Sequence, residues 1–177
     1  MRKILTAVAV VIMMSVLTIP VNAADNVKIG FVDFQKALNE SKAGVAAKAE
    51  LEKEGEKLAK DLEAKQGELK KLNEELEKKK SVWSQEVLES KVQAFQEKLA
   101  RFQDEAGQKR NELNRKKTDS EEQIIVDLKD VVADIAEKKG FTIILEKSAG
   151  GVLYFNAEDD ITSLVIQAYD KSYRKKK

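Results

Sequence analysis

Residues 42–139 run for almost a hundred positions without a proline and are dense in Lys, Glu, Leu and Ala. Such a stretch is helix, and its length rules out most compact folds. The leucines of its first half fall at positions 51, 58, 62, 69, 72 and 76. In the second half Leu88, Val92, Phe95, Leu99, Phe102, Ala106 and Leu113 repeat the same steps of three, four and seven. That is a heptad seam. Acid-before-base pairs four residues apart (Glu56–Lys60, Asp61–Lys65, Glu74–Lys78, Glu97–Arg101, Glu105–Lys109, Glu112–Lys116) add about 0.2–0.5 kcal/mol each. Lys138-Lys139-Gly140 closes the segment with the charge and the residue that suit a helix C-terminus.

One unbroken helix of this length would hold Phe31 and Phe141 about 140 Å apart. The short apolar segments at its two ends need each other instead. Around Lys80–Ser84 the seam loses phase, and the serines there can cap a new helix. The sequence therefore predicts an antiparallel hairpin turning near 81–84. Its projecting arms cover 44–120, each of about 37 residues and about 55 Å.

Outside the arms the pattern changes. Residues 27–33, 141–146 and 152–155 read as strands, the last two joined through Lys147–Gly151 as a hairpin. Residues 34–41 read as a short helix or turn. A final helix over about 160–172 starts at Asp159 or Asp160 and carries Ile161, Leu164, Val165, Ala168 and Tyr169 on one face. Ile124, Ile125, Leu128, Val131, Val132 and Ile135 are expected to pack on the sheet. The fold class is α+β: a small oligomeric body, residues 24–43 and 121–177, with one long coiled-coil α-helical hairpin per subunit. A body of about seventy residues buries only about 60% of its surface and is marginal alone. Its open strand edges call for other copies of the chain. The residues expected to build that oligomeric body are Ile29, Phe31, Val32, Phe141, Ile143, Leu145, Leu153 and Phe155.

Composition narrows the function. The chain holds no Cys and no His, which removes thiol chemistry, disulfides and the commonest general base and metal ligand. Asp33, Asp159, Asp160 and Lys147 read as a strand end, helix caps and a loop charge rather than catalytic groups. No enzyme activity and no cofactor are expected. Met1-Arg2-Lys3, the apolar run Ile4–Ile19, Pro20 and Val21-Asn22-Ala23 have the layout of a secretory signal cut after Ala23. The run is short of the ~20 residues of a membrane span. The net charge is +1, and loss of residues 1–23 with Arg2 and Lys3 and no acid brings it to −1. Near-neutral charge speaks against a nucleic-acid partner.

Two features of the arms stand out. Val82, Trp83, Val87 and Leu88 cluster at the turn beside Lys78-Lys79-Lys80; they either grip a bound chain or face a membrane, or simply cap the seam. Gly55 occupies a seam position and Gly107 lies beside the seam on the return arm. Counted from a turn near 82 they are almost level, which suggests a hinge; tolerated surface glycines are the other reading.

The two ends together carry a resemblance. Ile29-Gly30-Phe31-Val32-Asp33-Phe34-Gln35-Lys36-Ala37-Leu38-Asn39-Glu40-Ser41-Lys42-Ala43-Gly44 is similar to the opening of mature Skp-type (OmpH-like) periplasmic chaperones. Gly140–Leu145, Val152-Leu153-Tyr154 and Asp160-Ile161-Thr162 resemble their C-terminal end. The resemblance spans essentially the whole mature chain and rests on order and spacing. It implies a homotrimer with a small β-barrel-like body, whose helical tentacles enclose unfolded outer-membrane β-barrel proteins in the periplasm, soluble after signal cleavage and without ATP. No Gly-x-x-x-x-Gly-Lys-Ser/Thr loop is present. Transient membrane contact is compatible with the tip. A periplasmic coiled-coil tether is the alternative, and a polyanion binder using the Lys-rich arms is a weaker third.

Overall fold

The computed structural model describes residues 27–148 and 151–176. The signal segment expected at 1–23 lies outside them. The order is β1 (Ile29–Val32), α1 (Phe34–Glu40), α2 (Lys42–Lys79), α3 (Gln85–Lys139), β2 (Ile143–Glu146), a 3-10 turn (Ala157–Asp159) and α4 (Thr162–Lys176).

Local chemistry sets each boundary. Asp33 caps α1, its Oδ1 accepting the Lys36 N–H at 2.8 Å. Ser41 ends α1 and caps α2: its N–H donates to the Ala37 carbonyl at 3.0 Å and its Oγ accepts from the Gly44 N–H at 3.2 Å. Ser41 is fully buried at this elbow. The two helices cross so closely that a Cβ on Gly44 would lie 1.6 Å from the Leu38 carbonyl oxygen, so only glycine fits. Asp170 of α4 braces the same point by accepting the Lys42 N–H at 2.8 Å. The chain then reverses through Lys80–Ser84, and Ser84 Oγ accepts from the Val87 N–H at 3.4 Å to start α3. Gly140, left-handed at φ 67°, stops α3, and the Phe141 N–H closes on the Ala136 carbonyl at 3.0 Å.

β1 and β2 pair in parallel, Ile29 opposite Ile143 and Phe31 opposite Leu145. The whole α2–α3 hairpin is the crossover between them. A strand at 152–155 and a hairpin with 141–146 were expected, and neither forms: residues 152–156 are irregular. The segment is held against β1 instead of pairing with β2. Beyond β2 the Lys147 N–H donates to the Val32 carbonyl at 2.9 Å. On the opposite edge of β1 the Phe31 carbonyl accepts from Ile161 at 2.8 Å. Both edges of β1 are thereby taken, and the intervening chain is fixed by side chains, with Phe155 stacked on Phe31 at 4.7 Å. Among the described residues of the single chain the sheet has two strands.

The core lies where α1, the start of α2, the root of α3 and α4 meet β1. Val32, Ala37, Leu38, Ile124, Leu128, Ile135, Ile161, Val165 and Tyr169 are buried together. Ile124, Leu128 and Ile135 thus join a helical core as much as the sheet. The Tyr169 hydroxyl donates to Asp127 Oδ2 at 3.1 Å. Burial, and then the Asp127 carboxylate, raise its pKa well above the usual tyrosine value. Asp160 accepts from the Thr162 N–H at 2.9 Å and pairs with Lys147 at 3.0 Å. Burial opposes ionisation of Asp160, but Thr162 and Lys147 outweigh it and hold the carboxyl below the usual range.

Candidate functional site: the paired arms

The arms differ from the body in one measurable respect. Between Val45 and Ser120 only Leu76 and Ala106 are buried. The remaining seam residues, Leu51, Leu58, Leu62, Leu69 and Leu72 on α2 and Leu88, Phe95, Leu99, Phe102 and Leu113 on α3, are half-buried, and Val92 is exposed. Two helices cover each other along a single line; each flank of that line stays open to water.

Those open flanks are unlike. Successive helix residues are about 100° apart, so residues on either side of Leu69 and Phe102 fall on opposite flanks. One flank forms a groove of about 470 Å³ ringed by Lys65, Glu68, Lys71, Glu75, Lys98, Arg101 and Glu105. The other forms a groove of about 510 Å³ with Gln66, Gly67 and Asn73 beside Phe95 and Leu99; Glu63 and Lys70 are its charged residues. Leu69 and Phe102 form the floor of both.

Ion pairs mark the register. Lys65 pairs with Glu105, and Lys116 with Glu54 at 2.7 Å, across the arms. The expected partners of Lys65 and Lys116 within their own helices, Asp61 and Glu112, are passed over because the long side chains reach the facing arm. Both cross-arm pairs are symmetric about position 85, not 82. Gly55 and Gly107 are therefore not level. Gly55 faces Leu113, whose Cδ2 would lie 3.6 Å from an added Cβ, and Gly107 sits about 12 Å nearer the tip. A Cβ at Gly107 or at Gly67 would meet nothing within 4 Å.

At the tip, Val82 and Val87 are exposed and Trp83 and Leu88 half-buried. The Lys79 ammonium lies 5.8 Å from the Trp83 ring centroid and also binds Glu75 at 2.6 Å. Its hydrogen bond, then its charge, holds the Glu75 carboxyl below the usual range. The tip is thus an apolar pair on a basic collar.

The body presents a second open surface. Val32 belongs to the subunit's own core, whereas Ile29, Ile143 and Leu145 share the outer sheet face and are exposed. Phe31 and Phe155 stack on that face, and Leu153 is 100% exposed. Phe141 is half-buried under the Lys28 ammonium, 4.3 Å from its ring centroid.

Asp33 and Asp160 serve as caps, and among the described residues no group of three His, Cys, Asp or Glu residues is placed to hold a metal ion. No helix among the described residues is long and apolar enough to cross a membrane.

Sequence reasoning missed the elbow at Gly44 and the slot at Gly67. The pair Phe95 and Phe102, seven apart, was the available signal for the slot, but Gly67 lies off the heptad line and its relation to them appears only once the arms are in register.

A braced body carrying a two-helix arm with open flanks defines a class of arm-bearing fold. The profile of the family described as "Outer membrane protein (OmpH-like)" matches residues 28–169, and the chain belongs to that family. A crystal structure of an OmpH-like protein from Caulobacter crescentus CB15, provisionally described as an outer membrane chaperone, shares the fold. It superposes with a TM-score of 0.77 at 19% identity, covering 85% of this chain and 88% of that one. No curated protein matches.

Proposed function

We propose that this protein is an ATP-independent periplasmic holdase that keeps unfolded outer-membrane β-barrel proteins from aggregating on their way to the outer membrane. The observation that carries the reading is the arm seam, apolar along its length and half-open on both flanks. Unfolded barrel strands alternate apolar and polar residues and pair readily at their edges. Many weak contacts along two open flanks hold such chains apart without locking them into a structure. Membership of the OmpH-like family and the chaperone description of the Caulobacter protein support the same reading.

The exposed sheet face with Ile29, Ile143, Leu145 and Leu153 supports an oligomeric body, which we take as a homotrimer whose arms surround the client. Val82, Trp83, Val87 and Leu88 then contact client or, transiently, a membrane surface. Gly55 and Gly107, at different heights, give each arm its own point of bending. The cleaved signal places the mature chain in the periplasm.

The test is direct. A denatured outer-membrane barrel protein is diluted into buffer with the purified mature chain and no nucleotide, and light scattering is followed. Suppression at about one trimer per client is expected. Aggregation as fast as in buffer alone removes the holdase reading. Native mass spectrometry of the same sample should show three chains; a monodisperse monomer removes the trimer.

A further inference from the structure

We infer that the flank of the arm centred on Gly67 is a docking groove for an extended, uncharged client segment, with one aromatic or branched aliphatic side chain seated over Phe95, Leu99 and Phe102. The inference rests on the holdase reading and names where on the arm the client binds.

Three observations converge on this flank. The first is the glycine. A helix interior disfavours Gly. Gly67 is not needed for packing, since an added Cβ would meet nothing within 4 Å. It lines the same groove as Phe95, Leu99 and Phe102, and without a side chain it leaves the outer rim of that groove low.

The second is charge. Glu63 and Lys70 are the charged residues of this groove and are of opposite sign. The groove on the other flank is ringed by seven charged residues, Lys65, Glu68, Lys71, Glu75, Lys98, Arg101 and Glu105. A segment with charged side chains gains more there. An uncharged segment keeps its apolar contacts on the Gly67 flank without stripping water from that ring of ions. The membrane-facing side of a barrel strand is such a segment.

The third is spacing. Gln66 and Asn73 are two helical turns apart, about 10.5 Å along the axis. That distance matches about three residues of extended chain. Each amide offers both a donor and an acceptor, which is what the free N–H and C=O groups of an unpaired strand need.

The probe is a fluorescein-labelled nine-residue peptide alternating Phe and Thr, titrated into the full mature protein by anisotropy. Gly67→Leu fills the slot, and because the space is open the variant folds. It should weaken peptide binding about tenfold, the range expected for one apolar group in a hydrophobic pocket. Glu122→Leu, which adds the same apolar surface at an exposed position of the α3 root away from both grooves, should leave it unchanged. A photo-reactive phenylalanine analogue at position 70 should cross-link the peptide, and the same group at position 68 should not.

Equal binding by Gly67→Leu in a protein that still suppresses client aggregation overturns the groove and leaves the holdase reading standing. A wild-type protein that suppresses nothing overturns both. A change in chain number for Gly67→Leu, read by native mass spectrometry, shows the groove to be a contact between copies and also overturns the inference.

Discussion

Helix α3 passes through two environments. At its root Ile124, Leu128 and Ile135 are buried, Leu128 completely; along the arm only Ala106 is. Both stretches repeat apolar residues at helical spacing, but the root's stripe is wider, with the adjacent pairs Ile124-Ile125 and Val131-Val132. The root also has more partners. The root packs on α1, α4 and the strands, while the arm has α2 alone. A stripe covered from several sides excludes water, and one covered by a single helix does not. The body is therefore built to be cooperative, and the arm to keep apolar surface within reach of something else.

That contrast can be broken by mutation. The largest effect is expected for Leu128→Ala, which leaves a cavity in the body and should cost about 2–5 kcal/mol in chemical denaturation. Leu62→Ala on the arm should cost clearly less, because its site is already half-wet; equal losses would mean the arm has a core of its own. Gly44→Ala comes next. The Leu38 carbonyl must give way at the elbow, and a loss of about 1–3 kcal/mol is expected by the same measurement. Gly107→Ala has the opposite sign: with open space around it, the arm helix should gain about 1 kcal/mol, visible as a higher melting temperature.

The smallest effect is electrostatic. The Asp160 carboxyl sits below its ordinary 3.8, so its contribution is complete above that value and is lost as pH falls through the lower folded-state value. Denaturation series at neutral pH and in this acid range should show a loss that Lys147→Met reduces. A loss of the same size in Lys147→Met would place the effect elsewhere.

Legibility in the sequence follows the same division. Long helices were readable because their signals are local: heptad spacing, a pair of serines, a terminal glycine. The reversal near Ser84 and the apolar face of the final helix, with Ile161, Val165 and Tyr169 buried, needed nothing distant. The segment Val152-Leu153-Tyr154-Phe155 misled because composition alone marks it as strand. Whether it pairs depends on tertiary contacts, and here Phe155 is drawn onto Phe31 of β1 while the outer edge of β2 stays open. The ion pairs misled in a similar way. Lys65 and Lys116 have suitable acids on their own helix, but the choice of Glu105 and Glu54 is made by arm register, which no local spacing encodes. The Gly67 flank was invisible for that reason too.

Hydrogen exchange of the mature protein, read by mass spectrometry with and without a denatured outer-membrane barrel client, tests the central claim that the arms hold the client while the body holds the protein together. Free arms should exchange faster than the α3 root, and added client should protect residues 58–73 and 95–106 while leaving Ile124–Ile135 unchanged. Protection confined to the body, with the arms exchanging as before, would contradict it.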